Sequence, residues 1–308
     1  MKKYIKLMRL DKPIGIFLLF WPCAWGLALA NAEPTNNLVF FKYLILFLIG
    51  SILMRSAGCV YNDIVDRKID IKITRTKNRP IATGLIPLSS AWMLILILIS
   101  FSLIILFQFN LKSIIFGLGS AFLVLLYPFM KRITYWPQLF LGLTFNWGVI
   151  LGWLVMKNEF SILPFILYFS AVLWTLGYDT IYGLQDIKDD LMVGIKSTSI
   201  KFEKNIKPFL FVVYLLSFAL ILIVLSLLNA NLLTYMFSLG AGAILLYQVI
   251  NCHQKNNLNY SKLFTLNTYY GLSIFILLLL IKNNAYRKTF FPRYIRLLFG
   301  TCKKAWGY

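Results

Sequence analysis

The chain has 308 residues, of which 59% are hydrophobic and 14% are charged, whereas a soluble domain carries about 25% charged residues. A chain with so few charges exposes most of its surface to something other than water, which excludes an ordinary soluble enzyme. The formal net charge of +20 would indicate nucleic acid binding in a soluble chain. Here the basic residues lie between apolar segments, a pattern typical of a membrane protein oriented by its loops, so no nucleic acid partner is expected.

Apolar segments long enough to cross a bilayer recur from one end of the chain to the other. Backbone groups in lipid must be hydrogen-bonded within the protein, so each segment is predicted to be a helix. The predicted fold class is therefore all-α, a polytopic membrane protein with about nine transmembrane helices. The predicted spans, in chain order, cover residues 14–30, 38–61, 88–109, 111–127, 135–156, 162–181, 207–228, 232–250 and 263–281.

The first of these spans shares features with a secretory signal peptide. Lysines precede an apolar run that ends in the small-residue sequence 28–30, Ala-Leu-Ala. The run also contains Pro13 and Pro22, is longer than a usual signal core and leads almost directly into the second span. An uncleaved first span is therefore predicted.

The connections between the spans alternate in charge. Most loop lysines and arginines fall in residues 62–87, 128–134, 182–206 and 251–262, and the N-terminal segment is also basic. The positive-inside rule places these segments in the cytoplasm. We therefore expect an integral protein of a bacterial inner membrane, surrounded by membrane lipid, with its active site facing the cytoplasm.

The end of the chain departs from this pattern. Residues 1–281 are predicted to form one membrane domain, whereas residues 282–308 form a basic tail that an odd number of spans would place outside the cytoplasm. The four cysteines have no spacing typical of a metal site or a disulfide framework, and the single histidine, His253, has no ligand partner nearby. Neither residue type is expected to carry the chemistry.

Seven of the 11 acidic residues fall in two short stretches, residues 62–70 after the second span and residues 179–190 around the end of the sixth. Acidic side chains beside a bilayer are costly unless they are paired or bind metal. For one stretch alone, a solvated loop of mixed charge is an equally good interpretation. Two stretches at equivalent positions of an acid-poor chain favour a shared site instead.

The spacing of the acids indicates a metal. Asn62, Asp66 and Asp70 are four residues apart, so a helix that continues from the second span places them on one face. Asp186 and Asp190 repeat the same spacing. Such oxygen ligands suit Mg²⁺, which takes one or two carboxylates and completes its shell with water and phosphate oxygens. Two such faces opposite each other would hold a diphosphate between them.

A single charge, Arg55, lies inside the apolar run of the second span, seven residues before Asn62. A charge within a membrane segment indicates a functional site. The alternative is an arginine whose side chain extends along the helix to the interface.

These residues resemble the motifs of a known family, the UbiA-type membrane prenyltransferases. Residues 62–70 read NDIVDRKID and resemble the family motif N-D-x-x-D-x-x-x-D, and Asp186 and Asp190 resemble its second motif, D-x-x-x-D. The similarity runs from about Lys6 to Ile281. Within the family, the chain is most similar to the 4-hydroxybenzoate polyprenyltransferases, in residues 11–15, 21–22, 127–132, 178–182 and 194–198.

The resemblance implies a fold and a set of site residues. The fold would be about nine helices around a central cavity. The Mg²⁺ and diphosphate site would consist of Asn62, Asp66, Asp70, Asp186 and Asp190, the four aspartates being the catalytic residues.

The resemblance also implies how the substrates are bound. Arg75, Arg79 and either Lys131 or Arg132 would contact the diphosphate. Arg55 would face the carboxylate of the aromatic acceptor. Asn146, in the predicted fifth span, has no role that the sequence assigns.

The implied reaction is transfer of a polyprenyl group from polyprenyl diphosphate to the 3-position of 4-hydroxybenzoate, a step of ubiquinone biosynthesis that uses Mg²⁺. One alternative is a prenyltransferase of the same family that uses a naphthoate, haem or homogentisate acceptor. Another is an ion-coupled transporter with acids as ion ligands. Transporters usually place such acids near the bilayer midplane, whereas here they lie at span ends beside basic loops, which favours the enzyme.

Overall fold

The structure is a computed structural model that describes residues 1–31, 37–252 and 257–281, except for the side chains of residues 257–259. Every regular element in these ranges is helical. A single 3₁₀ turn, Glu203–Asn205, precedes α11. The helices are α1 (Lys2–Leu7), α2 (Ile14–Ala30), α3 (Asn37–Asp70), α4 (Leu88–Leu106), α5 (Leu111–Ile133), α6 (Pro137–Phe145), α7 (Trp147–Lys157), α8 (Ile162–Gly183), α9 (Ile187–Val193), α10 (Thr198–Lys201), α11 (Ile206–Leu227), α12 (Leu232–Asn251) and α13 (Asn257–Leu279).

The membrane-spanning helices agree with the prediction. Eight helical segments in the described ranges are long and apolar enough to cross a bilayer, with α6 and α7 together forming one of them. The 17 residues of α2 form a shorter apolar helix that still extends about 25 Å at 1.5 Å per residue. The all-α class and the nine predicted spans are therefore confirmed for this part of the chain. His253 and the basic tail 282–308 lie outside the described residues.

The spans form a closed ring. α2 packs on α3, α3 on α4, α4 on α5, α5 on α6, α6 on α8, α8 on α11, α11 on α12 and α12 on α13, and α13 returns to α2. The outer faces of α4, α5 and α12 expose large apolar side chains, as expected of surfaces that face lipid. The polar side chains described below point inside this ring or lie at one end of it.

The crossing of α2 and α7 is unusually close because of glycine. A Cβ atom on Gly26 would lie 2.0 Å from the carbonyl oxygen of Val149, and one on Gly152 would lie 2.5 Å from the carbonyl oxygen of Cys23. Only a residue without a side chain allows the two backbones to approach in this way. The contact holds α2, and the loop before it, against the interior of the ring.

Three of the predicted spans differ clearly from the helices observed. α3 has 34 residues and is about 51 Å long at 1.5 Å per residue, so its acidic end projects beyond a hydrocarbon core about 30 Å thick. α5 continues through Pro128 to Ile133, so the predicted loop 128–134 is mostly helix. The fifth predicted span is interrupted at Asn146, where α6 ends and α7 begins.

Candidate active site

The first acidic stretch forms the last two turns of α3. Asp63, Asp66 and Asp70 are all buried, with 2%, 0% and 3% of their surface exposed. Asn62 is half-buried one turn before Asp66, and its side chain makes no hydrogen bond to another described residue. The predicted helical face of Asn62, Asp66 and Asp70 is therefore present, and Asp63 adds a buried carboxylate that the sequence reasoning did not select.

Two arginines bind the outer part of this stretch. Arg79 Nη1 lies 3.0 Å from Asp63 Oδ1 and 2.8 Å from Asp70 Oδ2. Arg9 Nη2 lies 3.0 Å from Asp63 Oδ1, and its own backbone has a left-handed φ of 58°. A non-glycine residue in the left-handed region has a strained backbone, so the fold holds Arg9 against Asp63 at the cost of this backbone strain. Arg79 was predicted to lie here, whereas Arg9 was not.

The end of α5 supplies two further cations. Lys131 Nζ forms a salt bridge with Asp66 Oδ2. Arg132 Nη2 donates to the carbonyl oxygen of Val65 at 3.0 Å and lies 3.4 Å from Asp66 Oδ1. Both residues were predicted in a loop, but their place in the last helical turn explains why they face α3 together. Asp66 is thus a fully buried carboxylate with two cationic neighbours.

The second acidic stretch runs from the last turns of α8 into α9. α8 terminates at Gly183, and Asp186 is the residue that precedes α9. Arg75 Nε donates to both oxygens of Asp186, at 2.8 and 3.0 Å, and its Nη1 donates to Tyr182 Oη at 2.9 Å. The backbone N–H of Thr74 donates to Asp189 Oδ2 at 2.9 Å. The loop after α3 therefore joins the two acidic stretches into one cluster.

Asp190 completes this cluster. The pKa of Asp190 is raised to about 6, mainly by burial and secondly by the neighbouring Asp186 carboxylate. The positive charges of Lys131 and Arg75 act in the opposite direction. The neighbouring cations therefore do not fully stabilise the ionised carboxylate of Asp190. A divalent cation near Asp186 and Asp190 would remove this deficit.

The carboxylates are chemically suited to Mg²⁺. Within the described ranges, no three acidic, cysteine or histidine side chains are arranged to hold a metal by themselves, and arginine and lysine side chains contact several of the carboxylates. Mg²⁺ requires only one or two carboxylates when waters and phosphate oxygens complete its shell. The donor atoms therefore fit Mg²⁺ bound together with a phosphorylated ligand.

Arg55 lies deeper in the ring, two helical turns before Asn62. Its guanidinium carbon is 5.5 Å from the centre of the Phe145 ring. Its Nε atom is buried and has no hydrogen-bond partner among the described residues. A Cβ atom on Gly15 would lie 2.5 Å from that Nε, so the glycine of the 11–15 segment makes room for the guanidinium. Arg55 points into the protein rather than to the membrane interface.

Asn146, the residue after Phe145, contributes a second unpaired polar atom. Its Nδ2 donates to the carbonyl oxygen of Gly142 and to Thr175 Oγ1, both at 2.7 Å. The amide orientation is determined because a carbonyl oxygen only accepts. Asn146 Oδ1 is consequently buried without a partner in the described structure, as is the hydroxyl of Tyr178. Buried polar atoms without partners are costly, and three of them around one region indicate the position of a polar ligand.

This deep region was only partly predicted. Arg55 was selected because a charge in an apolar run is conspicuous. Asn146 and Tyr178 carry no such signal, since polar side chains in membrane helices usually bond to neighbouring backbone or side chains. Only the contacts show that their polar atoms remain unpaired.

Residues 19–279 match the UbiA prenyltransferase family. The chain belongs to this family. The match includes both acidic stretches, Arg55, and the cations of α5 and of the loop after α3. The UbiA-type resemblance inferred from the two aspartate motifs is thereby confirmed.

Several relatives in the family are about half identical to this chain. A protein of Caenorhabditis elegans named 4-hydroxybenzoate polyprenyltransferase, mitochondrial, is 49% identical over 211 residues, which are 68% of this chain and 59% of that protein. The human protein of the same name is 50% identical over 213 residues, 68% of this chain and 56% of that protein. The Arabidopsis thaliana protein is 52% identical over 211 residues, 67% and 51% respectively. The chain matches between half and three fifths of the length of these relatives.

Solved structures share the UbiA fold at lower identity. A UbiA homologue from Aeropyrum pernix K1 superimposes with a TM-score of 0.72 at 22% identity, over 85% of this chain and 96% of that one. A UbiA homologue from Archaeoglobus fulgidus, solved bound to GPP and Mg²⁺, gives a TM-score of 0.64 at 19% identity, over 89% and 99%. At these identities the likeness establishes the fold.

Proposed function

We propose that this UbiA-family chain transfers a polyprenyl group from polyprenyl diphosphate to the 3-position of 4-hydroxybenzoate, as a step of ubiquinone biosynthesis. The observation that carries the proposal is the cluster at the end of α3, in which buried aspartates of one stretch and half-buried aspartates of the other contact or lie beside five basic side chains. The names of relatives about 50% identical to the chain support the acceptor. Family membership favours an enzyme over the ion-coupled transporter.

The diphosphate would lie between the two acidic stretches. Asn62, Asp66, Asp70, Asp186 and Asp190 would hold Mg²⁺, which when bound would neutralise charge on the departing diphosphate. The A. fulgidus homologue bound to GPP and Mg²⁺ supports the use of this metal.

In this proposal, the basic side chains that contact the carboxylates also bind the diphosphate. Arg75, Arg79, Lys131 and Arg132 each contact an aspartate. With a diphosphate between the two acidic stretches, these basic side chains would also reach the phosphate oxygens. The negative charge that develops as the allylic C–O bond breaks is stabilised by groups already in place.

Arg55 and its neighbours would receive the aromatic acceptor. The unpaired Arg55 Nε and the hydroxyl of Tyr178 are donors for a carboxylate in a region of low dielectric constant. The prenyl carbon released from the diphosphate has cationic character, and the acceptor carbon next to the phenol oxygen attacks it. Phe145 and Tyr127 add aromatic faces near this path.

The membrane in which the chain works is part of the proposal. The helices indicate an integral membrane protein. A bacterial inner membrane was expected from the basic loops, whereas the relatives named above are called mitochondrial. The names therefore favour a mitochondrial membrane, with the acidic cluster on the side of the basic loops.

The test is an assay with purified protein in detergent. Protein, Mg²⁺, a prenyl diphosphate and 4-hydroxybenzoate are expected to give the 3-prenyl product and diphosphate in equal amounts, as measured by mass spectrometry. A parallel panel of a dihydroxynaphthoate and homogentisate is expected to give no product. Prenylation of one of these acceptors in place of 4-hydroxybenzoate would contradict the proposed acceptor.

A further inference from the structure

Asp179 differs from the other aspartates of the spanning helices α3 and α8. Asp63, Asp66 and Asp70 each form a salt bridge. Asp179, by contrast, has no salt bridge and no hydrogen bond to its side chain within the described structure, although it is only half-exposed. A carboxylate without a partner inside a membrane segment is costly and marks a functional position. The established aspartate motifs do not include it.

The surroundings of Asp179 place it between the two proposed substrate regions. It lies four residues before the end of α8 and precedes Asp186 by seven residues. The charges of Arg55 from α3 and of Arg75 from the following loop both act on it. The other titratable neighbours are Tyr127 of α5 and the adjacent Tyr178 of α8. Arg55 belongs to the proposed acceptor region and Arg75 to the proposed diphosphate region.

A base beside the phenol oxygen would assist the proposed reaction. The ring carbon next to a phenol attacks an allylic cation more readily when the phenol gives up its proton. The basic residues of the cluster are cations and cannot accept that proton, and the aspartates of α3 already bind cations. Asp179 is the carboxylate in the described spans that remains available.

We propose that Asp179 is the base that accepts the phenolic proton of the aromatic acceptor, an inference that rests on the proposed function. As the prenyl C–O bond breaks and diphosphate leaves, the phenol O–H proton moves to Asp179 and the ring carbon forms the new C–C bond, which gives a dienone. The dienone then loses its ring proton to the released diphosphate, and its oxygen recovers the proton from Asp179. The carboxylate is regenerated and no oxidant or reductant is used.

The experiment compares the parent protein with Asp179→Asn, using two acceptors. General base catalysis typically contributes about 10²- to 10⁴-fold, so kcat with 4-hydroxybenzoate is expected to fall by about 100-fold or more. With 3-fluoro-4-hydroxybenzoate, whose phenol is more acidic, the loss is expected to be at least roughly tenfold smaller, because the base is needed less. Glu159→Gln, which removes an exposed carboxylate from a connection at the other end of the helices, is the matched control and should behave as the parent.

Measuring donor binding distinguishes a chemical role of Asp179 from a structural role. Asp179→Asn is expected to bind a non-reactive prenyl thiodiphosphate with Mg²⁺ as tightly as the parent does. A variant with parent kcat, an equal loss with both acceptors, or a loss confined to the acceptor KM would overturn the assignment. If Asp179→Asn does not bind the donor analogue, Asp179→Ala takes its place, and added formate is expected to restore part of its turnover; no restoration would also overturn it.

The outcomes also distinguish this inference from the proposed function. A parent protein that makes no prenylated 4-hydroxybenzoate refutes the function before any variant is compared. An active parent together with fully active Asp179 variants refutes only the role of Asp179.

Discussion

Replacing Arg55 with alanine removes the one cation that α3 places deep inside the ring, beside Phe145. Arg55 Nε has no partner among the described residues, so the substitution breaks no hydrogen bond of that atom within the protein as described. The cost should therefore appear when the acceptor binds. Losing one partner of a desolvated charge pair costs about 2–5 kcal/mol, which corresponds to about 30- to 4000-fold at 1.4 kcal/mol per factor of ten.

Steady-state kinetics with both substrates varied measures this effect. For Arg55→Ala, kcat/KM for 4-hydroxybenzoate is expected to fall within that range, while the donor KM stays within roughly threefold because the aspartates and the loop cations remain. Arg55→Lys is the matched control and should recover only part of the loss, since lysine lacks the planar pair of donors.

The kinetic pattern would also reveal a wrong assignment. If Arg55→Ala raised the donor KM and left the 4-hydroxybenzoate KM unchanged, Arg55 would belong to the diphosphate site. The acceptor carboxylate would then need another partner, and Arg132, which is partly exposed at the end of α5, would be the next residue to test.

Three further predictions concern the metal, the packing and the orientation. EDTA should abolish turnover and excess Mg²⁺ should restore it; activity that persists in EDTA would exclude a metal-dependent reaction. Gly15→Ala should lower acceptor kcat/KM by displacing Arg55, and Gly26→Ala should lower the thermal stability in detergent, because both added Cβ atoms overlap existing atoms; unchanged values would contradict this packing. Cysteines introduced near Lys77 and Lys201 should react with an impermeant reagent from the same side of the membrane, and labelling from opposite sides would refute the span count between them.

The spans and the acidic face of α3 could be predicted because each depends on local sequence. Long apolar runs require helices in lipid, and the four-residue spacing of Asn62, Asp66 and Asp70 places them on one side of any helix. The position of Arg55 is conspicuous for the same reason. In these cases the physical cause acts over a few neighbouring residues.

The features that were missed depend on contacts between distant residues. Arg9 and Asp63 pair across 54 positions of the chain, and no local pattern marks either as the partner of the other. Lys131 and Arg132 were predicted in the loop 128–134, yet α5 continues to Ile133 through Pro128, a residue type that usually interrupts a helix. Asn146 Oδ1 and the Asp179 carboxylate lack partners in the described structure because of the residues packed around them. The sequence alone does not show which residues those are.

Binding of a prenyl thiodiphosphate, which resists cleavage, tests most directly whether the two acidic stretches form one site. The parent protein is expected to bind this donor analogue only when Mg²⁺ is present. Asp66→Asn, on α3, and Asp186→Asn, before α9, should each remove Mg²⁺-dependent binding and turnover while the protein remains folded. Parent-like binding and turnover in both variants would contradict a shared site, since each aspartate would then be dispensable.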